Sequence, residues 1–385
     1  MKKLIIFPGN FLPNIGGLET HVDEFSKYLS ENKNYQITIF APNVHNSKET
    51  EIIHNNVKVI RYPAFFLISN FPVGKFWSFK FWKMYSNLYS IKYDIVMTRT
   101  RFFTNSFLGL VFSKIRFNKI KLIHVEHGSD FVKVDSKFTN FLSYLYDQIF
   151  GRLIFRFADK VIGVSIVAKR FVEKNFKTKL SVGVIRRGID SSYIDSIKED
   201  NITKKKYKNK SIILFIGRLY KWKGVSNIIK AYKDLPEELK KNSVFLIGGY
   251  GEDLERLKKE AKNENNIIFL GKIPFGKNYS LMKASDIYIH SSYSGGGLSS
   301  TLMQFMYCKN AIIASPHEGA NEIVNGASGI LLEDNSSDEI HCHLKKLLKN
   351  KNKIMELKEM SHNYIKKKLS WKKSIQEYIK MFEEI

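Results

Sequence analysis

Arg218 and Lys223 are the two side chains of this sequence best placed to do chemistry. They lie in Phe215-Ile216-Gly217-Arg218-Leu219-Tyr220-Lys221-Trp222-Lys223-Gly224-Val225. Upstream, Ser211-Ile212-Ile213-Leu214 reads as a buried parallel strand. Downstream, Val225, Ile228, Ile229 and Tyr232 recur at the spacing of one helix face. A strand ending at Gly217, a tight loop and a helix starting near Gly224 put both cations at the carboxyl edge of a sheet. They also stand beside a positive helix end, where α/β folds bind anions. A diphosphate suits this arrangement best. Two solvated cations in a surface loop account for the loop alone equally well.

Three other stretches carry candidate site residues. Ser294-Gly295-Gly296-Gly297-Leu298-Ser299-Ser300 precedes a helix beginning near Thr301, and its glycines and serines offer free backbone N–H groups to an anion or a sugar. Capping by Ser299 or Ser300 is the plain alternative. Gly16-Gly17 follows the first strand and allows close backbone approach to a ligand, or else makes a tight turn. His127, in His124-Val125-Glu126-His127-Gly128-Ser129-Asp130, follows a strand and points into the same crevice as Gly16-Gly17. No Cys/His set suggests a metal, and no Ser–His–Asp order stands out. Gly248-Gly249-Tyr250-Gly251 lacks the full dinucleotide spacing.

The elements that position these residues follow from hydrophobic pattern. Strands are expected at Leu4–Phe7, Gln36–Phe40, Val57–Tyr62, Tyr93–Met97, Lys121–Val125 and Lys160–Val164. A second series falls at Ile212–Ile216, Val244–Ile247, Ile267–Leu270, Ile287–His290 and Ala311–Ala314. Strands alternating with helical patterns specify α/β architecture, here two Rossmann-like, doubly wound domains. The 385-residue length agrees with two cores. We place the first domain at 1–195, a polar linker at 196–210 and the second domain at 211–368. A terminal helix at 369–385 carries Ile375, Tyr378, Ile379 and Phe382 along one face.

The chain has a formal net charge of +25 and two cysteines, Cys308 and Cys342. That cysteine usage implies a reduced, cytoplasmic setting, and no apolar run is long enough for a transmembrane helix. The opening Met1–Pro8 reads as a strand rather than a signal peptide. The positive charge favours an anionic membrane surface over nucleic acid, for which there is no motif. Between Arg61 and Asp94 there is no acidic residue. Within it Trp77, Phe81, Tyr85 and Leu88 form a helical stripe near Lys75, Lys80 and Lys83. Residues 75–92 are therefore read as a peripheral membrane contact, with packing of the stripe into the core as the alternative.

Taken together, the motifs resemble the GT-B glycosyltransferases of glycosyltransferase family 4. Gly16-Gly17-Leu18-Glu19-Thr20-His21-Val22 looks like that family's amino-terminal loop, and His127-Gly128 like its His-Gly turn. Gly188-Ile189-Asp190, Gly217-Arg218-Leu219 with Lys223-Gly224, Phe269-Leu270-Gly271, Ser285-Asp286-Ile287 and Glu322-Ile323-Val324 follow in the family's order. The chain departs from the family at the Glu-x7-Glu motif, which aligns with Gly296 and Gln304, and at Arg187, where the family usually has Asn. Gln304 can still bond ribose hydroxyls, whereas Gly296 offers only backbone.

The resemblance implies two domains facing across a cleft and transfer of a sugar, with retention, from a nucleotide-sugar to a polysaccharide or lipid-linked glycan. It implies His127, Arg218 and Lys223 as catalytic residues. Gly16, Gly17, Arg218, Lys223, Gly296, Gly297, Leu298, Ser299 and Gln304 would bind the donor. No metal and no cofactor beyond the co-substrate are expected, and the terminal helix is expected to return to the first domain. The missing carboxylates also fit an inactive subunit that binds glycan or supports an active partner. An epimerase of the same fold is a third reading, which lacks a carboxylate pair for acid/base work.

Overall fold

The computed structural model describes the chain apart from residues 69–70, 116–119, 132–136, 177, 179, 275, 294–296 and 318. It forms two compact units, Met1–Gly188 with Trp371–Ile385, and Ile189–Ser370. Each unit is an α/β layer structure around a largely parallel sheet.

In the first unit the strands are β1 Lys2–Phe7, β2 Tyr35–Asn43, β3 Thr50–Ile53, β4 Val57–Ile68, β5 Phe71–Gly74, β6 Ile95–Arg99, β7 Lys121–Glu126, β8 Lys160–Gly163 and β9 Gly183–Val184. They lie in the order β3-β4-β2-β1-β6-β7-β8-β9, with β5 attached to β4. Pairing is parallel from β4 through β9, while β3 and β5 run antiparallel to β4. Leu4 to Phe7 are all fully buried, because helices cover both faces of the sheet. One face is covered by α1 Gly17–Ser30 and the terminal helix Trp371–Glu384, through Val22, Phe25, Leu29, Trp371 and Tyr378. On the other lie α2 Phe79–Asn87, α3 Thr104–Ile115 and, beyond α4 Lys137–Tyr146, α5 Arg152–Phe157. Phe81, Tyr85, Phe112, Ile154 and Phe155 share that core.

The aromatic stripe of residues 75–92 therefore turns mostly inward. Phe81, Tyr85 and Leu88 are buried, and Phe81 packs edge-on against Tyr62 and Phe76 at centroid distances of 5.2 and 5.0 Å. The sheet face needs apolar cover, and this stripe supplies it. Only Trp77, Phe79 and Trp82 remain exposed.

The second unit contains β10 Ser211–Ile216, β11 Ser243–Gly248, β12 Ile267–Gly271, β13 Ile287–His290, β14 Ala311–Ala314 and β15 Ile330–Leu331, ordered β12-β11-β10-β13-β14-β15. Every pairing is parallel. The stretch expected to be a solvated linker is folded here instead, as short helices Ser191–Ser196 and Asn201–Lys206. Asp190 and Asp200 cap them, and Asp200 also pairs with Lys277 at 2.8 Å. Among the described residues no helix is long and apolar enough to cross a membrane.

In both sheets the chain begins centrally, winds one way, then reverses. The reversal falls between β1 and β6 in the first unit and between β10 and β13 in the second. Loops leaving the carboxyl ends of those strands diverge to opposite faces and leave a crevice between them. Glycines hold the β10 loop in place. Gly249 has φ of +143°, and a Cβ there would stand 1.8 Å from the Gly217 carbonyl oxygen. That contact lets Leu219 N–H donate to the Tyr250 carbonyl at 2.8 Å and Asp253 N–H to the Leu219 carbonyl at 3.0 Å. The 248–251 glycines are thus a cradle for the Arg218 loop.

Gly249→Ala should therefore cost about 1–3 kcal/mol of stability. Gly326→Ala, which meets nothing within 4 Å, should change it by no more than about 0.5 kcal/mol. Denaturant titration of both variants checks the contrast.

Candidate active site

In the second unit, the loop after β10 carries both predicted cations. Arg218 is exposed, its guanidinium 5.2 Å from the Tyr220 ring centre. Lys223 closes a single 3-10 turn, Lys221–Lys223, with its Nζ 4.2 Å from the centre of the Trp222 ring. Gly224 then adopts φ of +67°, and a Cβ would lie 2.1 Å from the Ser291 carbonyl oxygen. Only glycine permits this approach, so the β10 and β13 loops meet at the sheet's reversal point. Ser291 Oγ donates to the Lys223 carbonyl at 2.8 Å, and Tyr293 N–H to the Trp222 carbonyl at 3.0 Å. The helix Val225–Lys233 starts directly after Gly224, so its free N–H groups add to the positive field.

The β13 loop carries the second predicted group. Gly297 is buried, Leu298 and Ser299 are half-buried, and Gly296 lies outside the described residues. Ser299 caps the helix Ser300–Tyr307, its Oγ accepting from Leu302 N–H at 3.4 Å. Gln304 donates its amide to the Tyr279 hydroxyl at 3.0 Å. That bond leaves the Oε1 side of the amide as its acceptor. A side chain at Gly319 would meet Gly297 O at 3.4 Å, Leu298 Cα at 3.5 Å and Glu322 Oε1 at 3.6 Å. The Glu322 carboxylate thus stands in the immediate surroundings of Gly297 and Leu298.

The first unit holds the remaining predicted residues. Gly16 precedes α1 in extended conformation and Gly17 opens the helix, exposed. Arg187 is buried, donates to the Gly17 carbonyl at 3.3 Å and pairs with Glu24 at 2.6 Å. Glu24 also accepts from Trp371 Nε1 at 2.7 Å. Arg187 is therefore a tie between the Gly16-Gly17 turn, α1 and the terminal helix. His127 lies edge-on to His21 with ring centres 4.6 Å apart.

Two arginines that sequence reasoning missed organise the surroundings of His127. Arg99 ends β6, is buried, and donates to His21 Nδ1 at 3.0 Å. Since a guanidinium only donates, Nδ1 of His21 is the acceptor and the neutral ring carries its proton on Nε2. Burial, the neighbouring His127 and the charge of Arg99 hold His21 well below the ordinary imidazole range. Burial and then Arg99 do the same to His127, so both rings are neutral near pH 7.

Arg101 has 0% exposure and lies between two carboxylates, 3.2 Å from Glu126 and 3.0 Å from Asp147. Glu126 accepts from Gly128 N–H at 2.6 Å and from Arg101 N–H at 3.2 Å, and bonds His124 at 3.2 Å. His124 in turn bonds Thr98 at 2.8 Å. The Asp130 carbonyl accepts from Arg101 at 3.0 Å. One buried network therefore grips both sides of the His127-Gly128 turn. The signal in the sequence is Thr98-Arg99-Thr100-Arg101, one arginine ending a buried strand and a second two residues on. Among the described residues no cluster of His, Cys, Asp and Glu has the makings of a metal site.

Burial alone would raise the Glu126 pKa, but Arg101, His124 and the Gly128 N–H outweigh it and hold it at about 2. For Asp147 burial prevails over Arg101, and its pKa rises to about 6.

Comparison with known proteins gives a consistent result for both units. Residues 15–193 match the family model described as Glycosyltransferase Family 4, and residues 196–371 that described as Glycosyl transferases group 1. An uncharacterized glycosyltransferase of Methanocaldococcus jannaschii is 57% identical over 386 residues, covering 100% of this chain and 98% of the relative. The structure of sucrose-phosphate synthase from Thermosynechococcus elongatus superposes with a TM-score of 0.78 at 15% identity, covering 100% and 99% of the two chains. Anabaena HepE in complex with UDP-glucose superposes with a TM-score of 0.72 at 18% identity, covering 100% of each chain. The fold is thus that of GT-B glycosyltransferase structures.

Glu126→Gln should destabilise the chain by about 3–5 kcal/mol at neutral pH, because it breaks a buried pair. A carboxylate whose folded pKa is depressed contributes stability above its unfolded pKa and loses it as pH falls. The gap between wild type and variant should therefore narrow from about pH 4.5 toward 2, which denaturation at pH 7 and pH 3 would reveal.

Proposed function

Because the chain belongs to the group 1 glycosyltransferases, we propose that it moves a hexosyl group from a nucleotide-sugar to a polysaccharide or lipid-linked glycan acceptor. The observation that carries this reading is the meeting of the β10 and β13 loops at the reversal of strand order. Arg218 and Lys223 ride on one of them, and a capped helix start follows the other.

In this reading the nucleotide diphosphate sits on the second unit. Transfer breaks the bond between the anomeric carbon and the β-phosphate oxygen, and a bond from that carbon to the acceptor oxygen replaces it. The acceptor hydroxyl's proton passes to the departing phosphate oxygen, and the anomeric configuration is retained. Negative charge grows on the diphosphate as the bond breaks, and Arg218 and Lys223 stabilise it there. No metal ion is assigned to that task. Gln304 offers Oε1 to the ribose hydroxyls, and Glu322 is the carboxylate we assign to the donor sugar, since Gly296 and Gln304 replace the two acids of the family motif.

On the first unit, Gly16 and Gly17 offer backbone N–H groups, and His127 presents a neutral imidazole to the sugar and the attacking hydroxyl. A neutral ring adds no charge of its own to the developing transition state. A lipid-linked acceptor lies at a membrane surface. Exposed Trp77, Phe79 and Trp82 with Lys75 and Lys83 are the part of 75–92 suited to one.

Arg218→Ala and Lys223→Ala should each lower kcat by roughly 10²- to 10³-fold while leaving the melting temperature unchanged. Release of nucleoside diphosphate from UDP-, GDP-, CDP- and ADP-sugars is the assay. EDTA should not alter the wild-type rate. Full activity in both variants would overturn the assignment.

A further inference from the structure

The helix that begins at Lys137 has an unusual division of labour. It runs without a break through α4, a π-helical turn at Asp147–Gly151 and α5, with right-handed helical angles across both joints. Its second half is core: Ile154 and Phe155 are buried, and the π turn brings Asp147 inward to Arg101. Its first half buries nothing, since no residue of α4 is buried. Yet that half is apolar. Phe138 is 70% exposed, Phe141 62%, Leu142 47%, Leu145 44% and Ile149 47%.

The four on α4, Phe138, Phe141, Leu142 and Leu145, are spaced as one helical stripe, at i, i+3, i+4 and i+7, and Ile149 follows in the π turn. Beyond the π turn, Arg152 and Arg156, one turn apart on α5, are both exposed. Every exposed charge on the helix is positive, Lys137 included. Its one acid, Asp147, is buried against Arg101. A water-exposed apolar stripe followed by exposed arginines has the composition of a helix lying in an interface.

We propose that α4 is a membrane-docking helix for an anionic bilayer. The stripe from Phe138 to Ile149 enters the acyl boundary, and Arg152 and Arg156 meet the headgroups. The net charge of +25 favours such a surface. A second copy of this chain is disfavoured, because it would bring Lys137, Arg152 and Arg156 against their own kind. The α2 aromatics continue the same layer. Phe107 of α3 packs on Phe150 at 4.7 Å, and Phe112 of α3 packs on Tyr85 of α2 at 6.1 Å, so all three elements cover one sheet face. The choice of partner rests on the lipid-linked branch of the function proposed above, whereas the docking itself needs no donor or acceptor.

The test is co-sedimentation of the full chain with phosphatidylcholine vesicles, with and without phosphatidylglycerol, at physiological salt. Wild type should sediment with the anionic vesicles. Phe141→Glu/Leu145→Glu should weaken that binding by about tenfold or more, with an unchanged melting temperature, because both residues are exposed. Arg152→Glu/Arg156→Glu should weaken it as well. Met355→Glu, at an exposed apolar position of the second unit, should not. Failure of wild type to bind, or full binding by Phe141→Glu/Leu145→Glu, would overturn the proposal. So would a halving of the native mass in that variant by gel filtration, which would make the stripe a contact between copies. Nucleotide release in detergent-free solution, measured on the same variants, separates this outcome from a failure of the transferase reading.

Discussion

A parallel sheet whose strand order reverses must send the two loops at the reversal to opposite faces. In the second unit that constraint puts the ends of β10 and β13 side by side and makes their loops the walls of one crevice. In the proposed reaction, the donor site of this unit depends on how closely those loops approach. Gly224 sets the distance by leaving room for the Ser291 carbonyl, and Gly249 seats the β10 loop from the other side. A larger residue at Gly224 pushes the Arg218 and Lys223 loop away from the β13 loop, and one at Gly249 lifts it off its seat on the β11 side. Charge placement here is a consequence of backbone packing, and the cations themselves need only point outward.

The first unit meets the same constraint with buried charge. At the reversal between β1 and β6 the chain places Arg99 and Arg101, both nearly free of solvent contact. Taking guanidinium groups out of water is costly. The partners within reach offset that cost in part, since Nε and Nη2 of Arg99 and Nε of Arg101 are buried without a hydrogen-bond partner among the described residues. Arg101 finds Glu126, Asp147 and the Asp130 carbonyl, and so holds the turn that presents His127. Arg99 finds His21 and, across its face, the Phe25 ring at 4.6 Å. Two neutral histidines, His21 and His127, therefore lie edge-on to one another beside the Arg99 charge, and in the proposed reaction they face the acceptor hydroxyl.

Much of this was readable from residue order because buried parallel strands are continuous β-branched runs. The expected strands at Ile287–His290 and Ala311–Ala314 coincide with β13 and β14, and Lys121–Val125 differs from β7 by one residue. Short antiparallel strands such as β3 and β5 were not legible, since four residues carry too little periodicity. The 75–92 stripe is ambiguous in sequence for a physical reason. An aromatic helix facing a sheet and one facing lipid share the same pattern, and only Tyr62 and Phe112 on other elements decide between them. Arg99 and Arg101 were missed because their partners lie far off in sequence: His21 is 78 residues away and Asp147 is 46. The role of Gly249 was hidden likewise, being defined by Gly217. The exposed stripe of α4 required knowing which residues the core left uncovered.

The central claim is that the β10 and β13 loops form the nucleotide site. Hydrogen–deuterium exchange of the full chain, with and without UDP, GDP, CDP or ADP, tests it most directly. At least one nucleotide should slow exchange in peptides spanning Gly217–Val225 and Gly297–Gln304, with other parts of the second unit little changed. Protection confined to other segments under a nucleotide that binds, or no protection with any of the four, would contradict the account.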